Sequence, residues 1–424
     1  MRVRVLFPTA WDRQQLLARP EVWRDDFDVV FEAPDDAECP DDFDVLGYVE
    51  RCTAAFRGDT DGVFSSSDYP GAAVSAAVGT ALGLPASDPA VIMRAAHKGL
   101  SRAVQQACLP EATPPFQVLD LRGAPPALDA ALGLPCWVKP AKGCFSVLAR
   151  RVRSAAEFDV FVRMPEVRDY RERFLGVYCQ LVQRYLGPDV DGTAFVAEGE
   201  LRGTLVTVEG YATGAGAHAL GVVDSIRHPT TGSFTAFEYP SVLPEPVQRR
   251  MEATACALAA AFGLRWTLFN VELMWERDTD RIGIVEINPR MCGQFADLYE
   301  KVDGVHGHRL ALELACGIAP QLRRRAGSCA VAASYPLRTF EPVRVLRAPD
   351  GDAAERAAAA VPGALAWNEV HDGQELRDFA VGEDGHSCRY GVVNVGAGSR
   401  EELVAARDRV LAALDYRFER LTRD

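Results

Sequence analysis

The sequence contains very little lysine. Four of its 46 basic residues are lysines, namely Lys98, Lys139, Lys142 and Lys301. A lysine ammonium is a compact charge on a flexible stem, whereas the arginine guanidinium is a rigid planar fork, so the two side chains suit different anionic ligands. Each lysine is therefore a candidate for a specific role.

Signals of several other protein classes are also missing. The eleven cysteines include no CxxC pair, so neither a zinc site nor a disulfide framework is indicated, and reduced thiols are expected. The opening segment MRVRVLFPTAW is broken by arginines and does not resemble a signal peptide. The longest weakly polar stretch, residues 71–84, is too short to span a bilayer. We therefore expect a cytoplasmic protein with no membrane partner.

The protein is acidic, and most of its excess negative charge lies in one segment. Asp and Glu number 59 against 46 Lys and Arg, and the net charge of −13 argues against nucleic acid as a partner. Residues 21–50 hold twelve acids and one base, Arg24. A solvated face is the main prediction for this segment, and attraction of a cationic amine is the alternative.

The first 90 residues alternate short apolar runs with helical patterns. Strands are predicted at residues 3–7, 29–31 and 62–65, followed by a helix over 70–82 that ends at Gly83. This alternation predicts a parallel α/β sheet, and no GxGxxG follows the first strand. A dinucleotide site is therefore not expected in this part of the chain.

A turn after the third predicted strand, residues 68–71 with sequence DYPG, is a candidate substrate contact. Ligands of α/β sheets lie at the carboxyl ends of the strands, which is where this turn is expected. An ordinary turn that leads into a helix is the alternative interpretation.

Both strands and helices are predicted in the remainder of the chain. The predicted strands are residues 134–139, 147–152, 177–186, 193–208, 267–274 and 281–287. An amphipathic helix is predicted over 246–262, and a last helix over 401–414.

The segment EINPR, residues 286–290, carries the most specific chemical signal. Glu286 and Asn288 are two apart in a strand and face the same side, and an antiparallel partner can place Glu272 beside them. Two carboxylates and an amide oxygen suit Mg²⁺ held between protein and phosphates. Arg290 follows as a positive fork for a carboxylate or a phosphoryl oxygen.

EINPR and the upstream acid in FNVELMWE together resemble the metal-binding core of the ATP-grasp superfamily. His97-Lys98 at a helix start resembles that family's first phosphate-binding lysine, and Lys139 in CWVKPAKGCFSVLARRV resembles the second. The segment YCQLVQRYLGPDVDG resembles the hinge strand whose main chain reads adenine, followed by an acid for the ribose. The resemblance covers roughly residues 90–320.

The resemblance implies ATP and Mg²⁺ as ligands, with Mn²⁺ as a substitute, and the metal on Glu272, Glu286 and Asn288. The implied nucleotide-binding residues are Lys98, Lys139, Lys142, Ser146, Gln183, Arg184, Tyr185, Leu186 and one of Asp189 and Asp191. Residues 141–146 contain a single glycine, where this loop of the family is usually rich in glycine. Lys142 and Ser146 are therefore expected to contribute to phosphate binding.

The activity implied is that of an ATP-dependent carboxylate–amine ligase. A substrate carboxylate would form an acyl phosphate with the γ-phosphoryl group, and an amine would convert it into an amide with release of ADP and phosphate. Arg290, Arg227 and Lys139 are the catalytic candidates. The expected partners are a small carboxylic acid and an amine, such as an amino acid or a natural-product intermediate.

Alternatives to a ligase stay open at this point. An ATP-grasp carboxylase or a small-molecule kinase would use the same core. A non-catalytic, nucleotide-binding regulatory protein is the alternative of a different class.

The resemblance also implies a fold of the α/β class with an α+β core. A Rossmann-like parallel domain is expected over residues 1–92 and an ATP-grasp domain over 93–329, with a lid at about 110–185 and antiparallel sheets. A small α+β region over 330–424 would complete or cap the core. A homodimer is expected by analogy.

Overall fold

A computed structural model describes residues 1–32, 43–143, 147–377, 379 and 385–422. The predicted site residue Ser146 lies outside these ranges. The strands are β1 Arg2–Leu6, β2 Asp28–Glu32, β3 Gly62–Phe64, β4 Phe116–Leu119, β5 Cys136–Pro140, β6 Arg150–Val152, β7 Phe195–Gly199, β8 Thr204–Ala212, β9 Ala217–Arg227, β10 Phe234–Tyr239, β11 Thr267–Glu276, β12 Arg281–Asn288, β13 Val331–Thr339, β14 Val343–Arg347, β15 Leu365–Asn368, β16 Glu375–Leu376, β17 Cys388–Ala397 and β18 Arg417–Arg420. The α-helices are α1 Ala10–Ala18, α2 Val45–Phe56, α3 Gly71–Leu82, α4 Pro89–Ala96, α5 Lys98–Cys108, α6 Ala155–Val162, α7 Pro165–Asp169, α8 Leu175–Tyr185, α9 Glu245–Phe262, α10 Ala296–Asp303, α11 Gly307–Ala315, α12 Gly351–Ala358 and α13 Arg400–Leu414.

The N-terminal strands form a parallel sheet in the order β2-β1-β3. Its central strand alternates arginine with apolar residues, and Val3 and Val5 are fully buried. Helix α3 follows β3 and ends at Gly83, whose positive φ of 71° is the left-handed conformation that glycine adopts without strain. The parallel α/β fold predicted for this part of the chain is confirmed.

An antiparallel sheet forms the centre of the molecule. Among the described residues its strand order is β12-β11-β8-β9-β10-β13-β17-β15. Val206, Val208 and Val271 pack in one hydrophobic cluster with α9. Because successive strand residues face opposite sides, residues 207, 209, 270 and 272 lie on the other face. That face carries the predicted metal ligands.

A second antiparallel sheet, of order β4-β7-β5-β6, carries Lys139 on β5. Lys139 is opposite Val196 of β7 in the register. The alternate residues Cys136 and Val138 are fully buried in the hydrophobic cluster of this sheet. The strand therefore presents Lys139 away from that cluster. We call this unit, β4 to β7, the lid sheet.

One predicted strand is a helix. Residues 177–186 fall almost entirely in α8, which continues from α7 through a π-helical turn at Tyr170–Phe174. The buried side chains of α8 include Leu175, Tyr178 and Val182, which recur at helical spacing and pack in one cluster with α2. Packing against the N-terminal sheet's helices has overridden the strand preference of the β-branched and aromatic residues.

The C-terminal strands β13, β15 and β17 extend the central sheet, and α12 and α13 cover them. A small sheet of order β16-β14-β18 lies beyond. The mixed parallel and antiparallel architecture confirms the predicted fold class. Among the described helices, none combines the length and apolar character needed to cross a membrane.

Candidate active site

Two glutamates face each other on neighbouring strands of the central sheet. Glu272 of β11 is opposite Glu286 of β12, and Asn270 is opposite Asn288 in the same register. Asn288 Nδ2 donates to Asn270 Oδ1 at 3.0 Å, which places the Asn288 amide beside the carboxylates. Partial burial raises the pKa of Glu272, and the negative charge of Glu286 raises it further. Two carboxylates held this close favour a cation between them.

The donor set fits a hard divalent cation. Glu272 and Glu286 supply carboxylates and Asn288 an amide oxygen, which are ligand types that Mg²⁺ accepts together with phosphate oxygens. Within the described ranges, no group of three or more His, Cys, Asp and Glu side chains could hold a metal ion. The protein would therefore contribute part of a coordination shell that the phosphates complete.

Two lysines, Lys98 and Lys139, act on this pair, and a third, Lys142, lies nearby in an ion pair with Asp68. Lys98 Nζ lies 3.3 Å from Glu286 Oε2 and donates to the carbonyl oxygen of Gly143 at 3.2 Å. Burial alone would raise the pKa of Glu286, but Lys98 and Lys139 outweigh it and hold that pKa below its ordinary value. The third lysine, Lys142, is almost fully buried and donates to Asp68 at 2.7 Å. Lys98 and Lys142 line one pocket with Glu286, and Lys139 contacts Glu198 in the lining of the same pocket.

Helix α5 holds Lys98 at its first turn. The N-cap is His97, whose Nδ1 accepts from the Leu100 amide at 3.3 Å. The Lys98 amide donates to the carbonyl oxygen of Ala141 at 2.8 Å, which joins the helix start to the loop after β5. Burial lowers the pKa of His97, so the imidazole caps the helix in its neutral form.

Arg102 is a buried charged residue beside the site that the sequence did not reveal. Its buried guanidinium donates to both carboxylate oxygens of Glu198, at 2.9 and 3.0 Å. Glu198 also accepts from Lys139 Nζ at 2.9 Å. Burial alone would raise the pKa of Glu198, but Arg102 and Lys139 together lower it to about 2. Glu198 therefore carries a negative charge that orients Lys139.

No local pattern marks Arg102 and Glu198 as partners. They lie 96 residues apart, on α5 and β7. The available signal was the acid itself, because a charged residue within the apolar run AFVAEG requires a buried partner.

Arg290 follows β12 and lies at the junction with the N-terminal sheet. Its Nε is 3.4 Å from Asp68 Oδ1, in the turn predicted as a substrate contact. Arg227 lies elsewhere, at the exposed end of β9. It is on the same face as Glu272 but about 13 Å further along the strand direction.

The predicted hinge is not a strand. Gln183, Arg184 and Tyr185 are the last residues of α8, and the Leu186 amide donates to the Val182 carbonyl. A helical main chain has its polar groups committed to helical hydrogen bonds, so it is poorly suited to reading adenine. The hinge-strand interpretation was wrong.

The two ribose candidates differ in their surroundings. Asp189 is exposed. Asp191 accepts from the Thr193 amide and hydroxyl at 2.9 and 2.8 Å, and its carbonyl oxygen lies 3.1 Å from His97 Nε2. Asp191 is therefore the candidate joined to the start of α5.

Glu209 is a further buried carboxylate on the site's face of the sheet. Its Oε1 accepts from the Cys292 amide at 2.6 Å, which ties the segment after Arg290 to β8. Burial raises the pKa of Glu209 to about 7, against the opposing effects of the Cys292 amide, Tyr299 and Arg290. The folded protein therefore retains a proton on Glu209 at pH values where the unfolded chain has lost it.

Replacing Glu209 with Gln should stabilise the protein at pH 8 by up to about 3 kcal/mol, and hardly at all at pH 5. The raised folded-state pKa means that wild-type stability falls as pH rises from about 4.5 to 7, whereas glutamine does not titrate. Denaturant unfolding from pH 5 to 8 measures the difference. The exposed Glu166→Gln is the control and should show a flat difference. A flat difference for Glu209→Gln would contradict the assignment.

Comparison with known proteins bears on the resemblance found in the sequence. The ATP-grasp domain family matches residues 132–297, which confirms the resemblance to the ATP-grasp superfamily. The crystal structure of L-amino acid ligase from Bacillus licheniformis is similar, with a TM-score of 0.73, 17% identity, and coverage of 100% of this chain and 99% of that chain.

Two further solved structures show the same fold. N5-carboxyaminoimidazole synthase from Aspergillus clavatus, in complex with ADP, has a TM-score of 0.63 and 13% identity, covering 98% of each chain. Biotin carboxylase from Campylobacter jejuni has a TM-score of 0.60 and 14% identity, covering 98% of this chain and 92% of that chain. No curated protein matches the sequence.

Proposed function

We propose that the protein is an ATP-dependent carboxylate–amine ligase, an enzyme that forms a carbon–nitrogen bond. The observation that carries the proposal is the convergence of Lys98, Lys139 and the facing pair Glu272 and Glu286, with Arg290 beside them. The likeness to L-amino acid ligase supports it at the level of the fold.

The nucleotide's phosphates would lie between the central sheet and the lid sheet. Lys98 and Lys139 would neutralise them, and Mg²⁺ would be held by Glu272, Glu286 and Asn288, where it would offset charge on the β- and γ-phosphates. For adenine, we propose the main chain of residues 200–203 in place of residues 183–186. This segment connects β7 to β8 and directly follows the strand of Glu198. Asp191 is the preferred ribose ligand.

The acid substrate would be activated first. Its carboxylate oxygen would attack the γ-phosphorus, the bond to the ADP oxygen would break, and an acyl phosphate would form. The amine nitrogen would then attack the acyl carbon, the bond to the phosphate oxygen would break, and the nitrogen would release a proton. Arg290 would hold the carboxylate, and Arg227 is proposed for the outer part of the acceptor site. Closure of the lid would exclude water, because acyl phosphates hydrolyse.

A coupled ADP-release screen over carboxylic acids and amines, with mass detection of products, tests the proposal. An amide together with free phosphate would support it. A stable phosphorylated product would indicate a kinase, and bicarbonate dependence a carboxylase. Lys301, the one lysine after residue 142, is buried in an ion pair with Asp297, which makes it a poor carrier for biotin. Absence of ADP release over the whole panel would favour a regulatory nucleotide-binding protein.

Replacing Lys142 with Ala should weaken apparent ATP affinity about tenfold or more, because one charge-assisted contact with phosphate is lost from a loop with little glycine. The Michaelis constant for ATP measures the effect. Arg153→Ala is the control, because it removes a cation from an exposed position that lies beyond β6, outside the loop. Unchanged ATP affinity in Lys142→Ala would show that Lys142 does not bind phosphate.

The domain limits at residues 1–92, 93–329 and 330–424, the lid at about 110–185 and a homodimer are part of the same proposal. The acidic segment 21–50 is proposed to be a solvated face. Its described members include Asp26 and Asp28, which form ion pairs with Arg309 and Arg2 at 2.6 and 2.8 Å.

A further inference from the structure

The loop over residues 65–71 carries Asp68 into the candidate active site from the N-terminal sheet. Asp68 Oδ2 accepts from Lys142 Nζ at 2.7 Å, and Oδ1 lies 3.4 Å from Arg290 Nε. Its negative charge also acts on Glu286. A single carboxylate thus touches both the phosphate-binding loop and the arginine proposed to hold the acid substrate.

Buried hydrogen bonds to helix α1 hold the 65–71 loop in place. Ser66 Oγ donates to Asp12 Oδ2 at 2.6 Å, and Asp12 Oδ1 lies 2.7 Å from His308 Nε2, with both partners of that pair fully buried. At Gly71 there is no room for a side chain, because a Cβ would lie 2.2 Å from Ser65 Oγ. Asp68 is therefore positioned by a packed, hydrogen-bonded scaffold, as a substrate-binding group requires.

The charges around Asp68 favour a substrate that brings a positive group. Around the facing glutamates and Asp68, the described cations are Lys98, Lys139, Lys142, Arg102 and Arg290, and the described carboxylates are Asp68, Glu198, Glu272 and Glu286, with Asp191 as a further carboxylate at the start of α5. Mg·ATP adds roughly two negative charges to this nearly balanced set, and a simple carboxylate adds another. Burying uncompensated charge is costly, so a zwitterionic acid is accommodated better than an anion.

We propose that Asp68 binds the ammonium group of an α-amino acid whose carboxylate lies on Arg290, an inference that rests on the ligase function proposed above. The ammonium and carboxylate of an α-amino acid are separated by a single carbon. Two protein groups of opposite charge 3.4 Å apart match that spacing. Phosphate binding draws the flexible Lys142 ammonium from Asp68, and the substrate ammonium takes its place.

Calorimetry on the full chain tests the inference without turnover. The twenty L-α-amino acids are titrated into wild type, Asp68→Asn and the control Asp59→Asn, with Mg²⁺ and a non-hydrolysable ATP analogue present. Asp59 is an exposed aspartate of the same domain, paired with Arg2 and Arg4. Each amino acid that binds is compared with the carboxylic acid that lacks its amino group.

We expect Asp68→Asn to weaken amino-acid binding by about 10- to 100-fold, because a charge-assisted hydrogen bond is lost. Asp59→Asn should bind like wild type, and the acids without an amino group should bind Asp68→Asn no more weakly than they bind wild type, because the repulsion from Asp68 is lost. Equal amino-acid affinity in wild type and Asp68→Asn would overturn the inference. So would an effect of Asp68→Asn confined to the Mg²⁺ requirement, which would instead make Asp68 a metal ligand.

Calorimetry together with the ADP-release and product screen separates this inference from the proposed function. If no amino acid binds the wild type, while other carboxylic acids support ADP release with amide formation, the role of Asp68 is refuted and the ligase stands. If amino acids bind in an Asp68-dependent way but no amide forms with any amine, the ammonium site stands and the ligase function fails.

Discussion

Glu286→Gln should abolish ADP release, with a loss of at least about 10²- to 10³-fold in the turnover rate. The substitution keeps the shape of the side chain but removes one of the two facing carboxylates and the ionic partner of Lys98. A neutral amide is a weak ligand for Mg²⁺, so the charge on the phosphates would no longer be offset. Coupled ADP release with the best acid and amine pair measures the effect.

Folding should survive this change, because the loss of one carboxylate also relieves its repulsion with Glu272. Because Lys98 loses its ionic partner in exchange, the melting temperature of Glu286→Gln is expected to fall only modestly. Glu276→Gln is the matched control, since Glu276 is on the same hairpin, opposite Arg281 and away from the facing pair. Its turnover should stay within about twofold of wild type. Undiminished turnover in a folded Glu286→Gln protein would refute the metal assignment.

Arg102→Met should destabilise the protein by about 3–5 kcal/mol, the range found when one partner of a buried ion pair is removed. Arg102 is 2% exposed, and besides Glu198 it donates to the carbonyl oxygens of Ile284 and Val285 at 2.8 and 2.7 Å. Methionine fills the space of the stem but leaves these acceptors without their donor. The midpoint of denaturant unfolding measures the effect.

The exposed Arg94 on the preceding helix provides the control for Arg102, and Arg94→Met should change stability by less than about 0.5 kcal/mol. Adding Glu198→Gln to Arg102→Met should recover part of the loss, because the buried carboxylate that has lost its two bonds to Arg102 is removed as well. If Arg102→Met costs less than about 1 kcal/mol, the pair contributes little to stability and its role is confined to orienting Lys139.

The hydrophobic periodicity of the sequence predicted most of the fold, because most of the helices and strands bury only one of their faces. The helix over 246–262 and the hairpin that joins Glu272 to Glu286 both follow the predicted ranges closely. The strand prediction for residues 177–186 was wrong for a physical reason that the sequence partly shows. Leu175, Tyr178 and Val182 recur at helical spacing, but the β-branched and aromatic content of the run favours a strand when taken alone.

The residues of the candidate site also divide into those that the sequence predicted and those that it did not. The three lysines and the EINPR segment were predicted because each lies next to a strand or helix boundary that the sequence reveals. The pairs Arg102 with Glu198 and Lys142 with Asp68 join residues 96 and 74 positions apart, so they depend on how the sheets pack. No local pattern encodes such distances.

The scarcity of lysine has a consequence for the chemistry of the protein's surface. All four lysine amines are engaged with carboxylates, and their side chains are 14%, 12%, 4% and 7% exposed for Lys98, Lys139, Lys142 and Lys301. Acylating reagents that modify lysine elsewhere would find an arginine-covered exterior that does not react with them. Apart from Lys301 on α10, any acylation of a lysine would fall within the candidate active site, so that its rate at Lys98, Lys139 and Lys142 would report directly on whether the site is occupied.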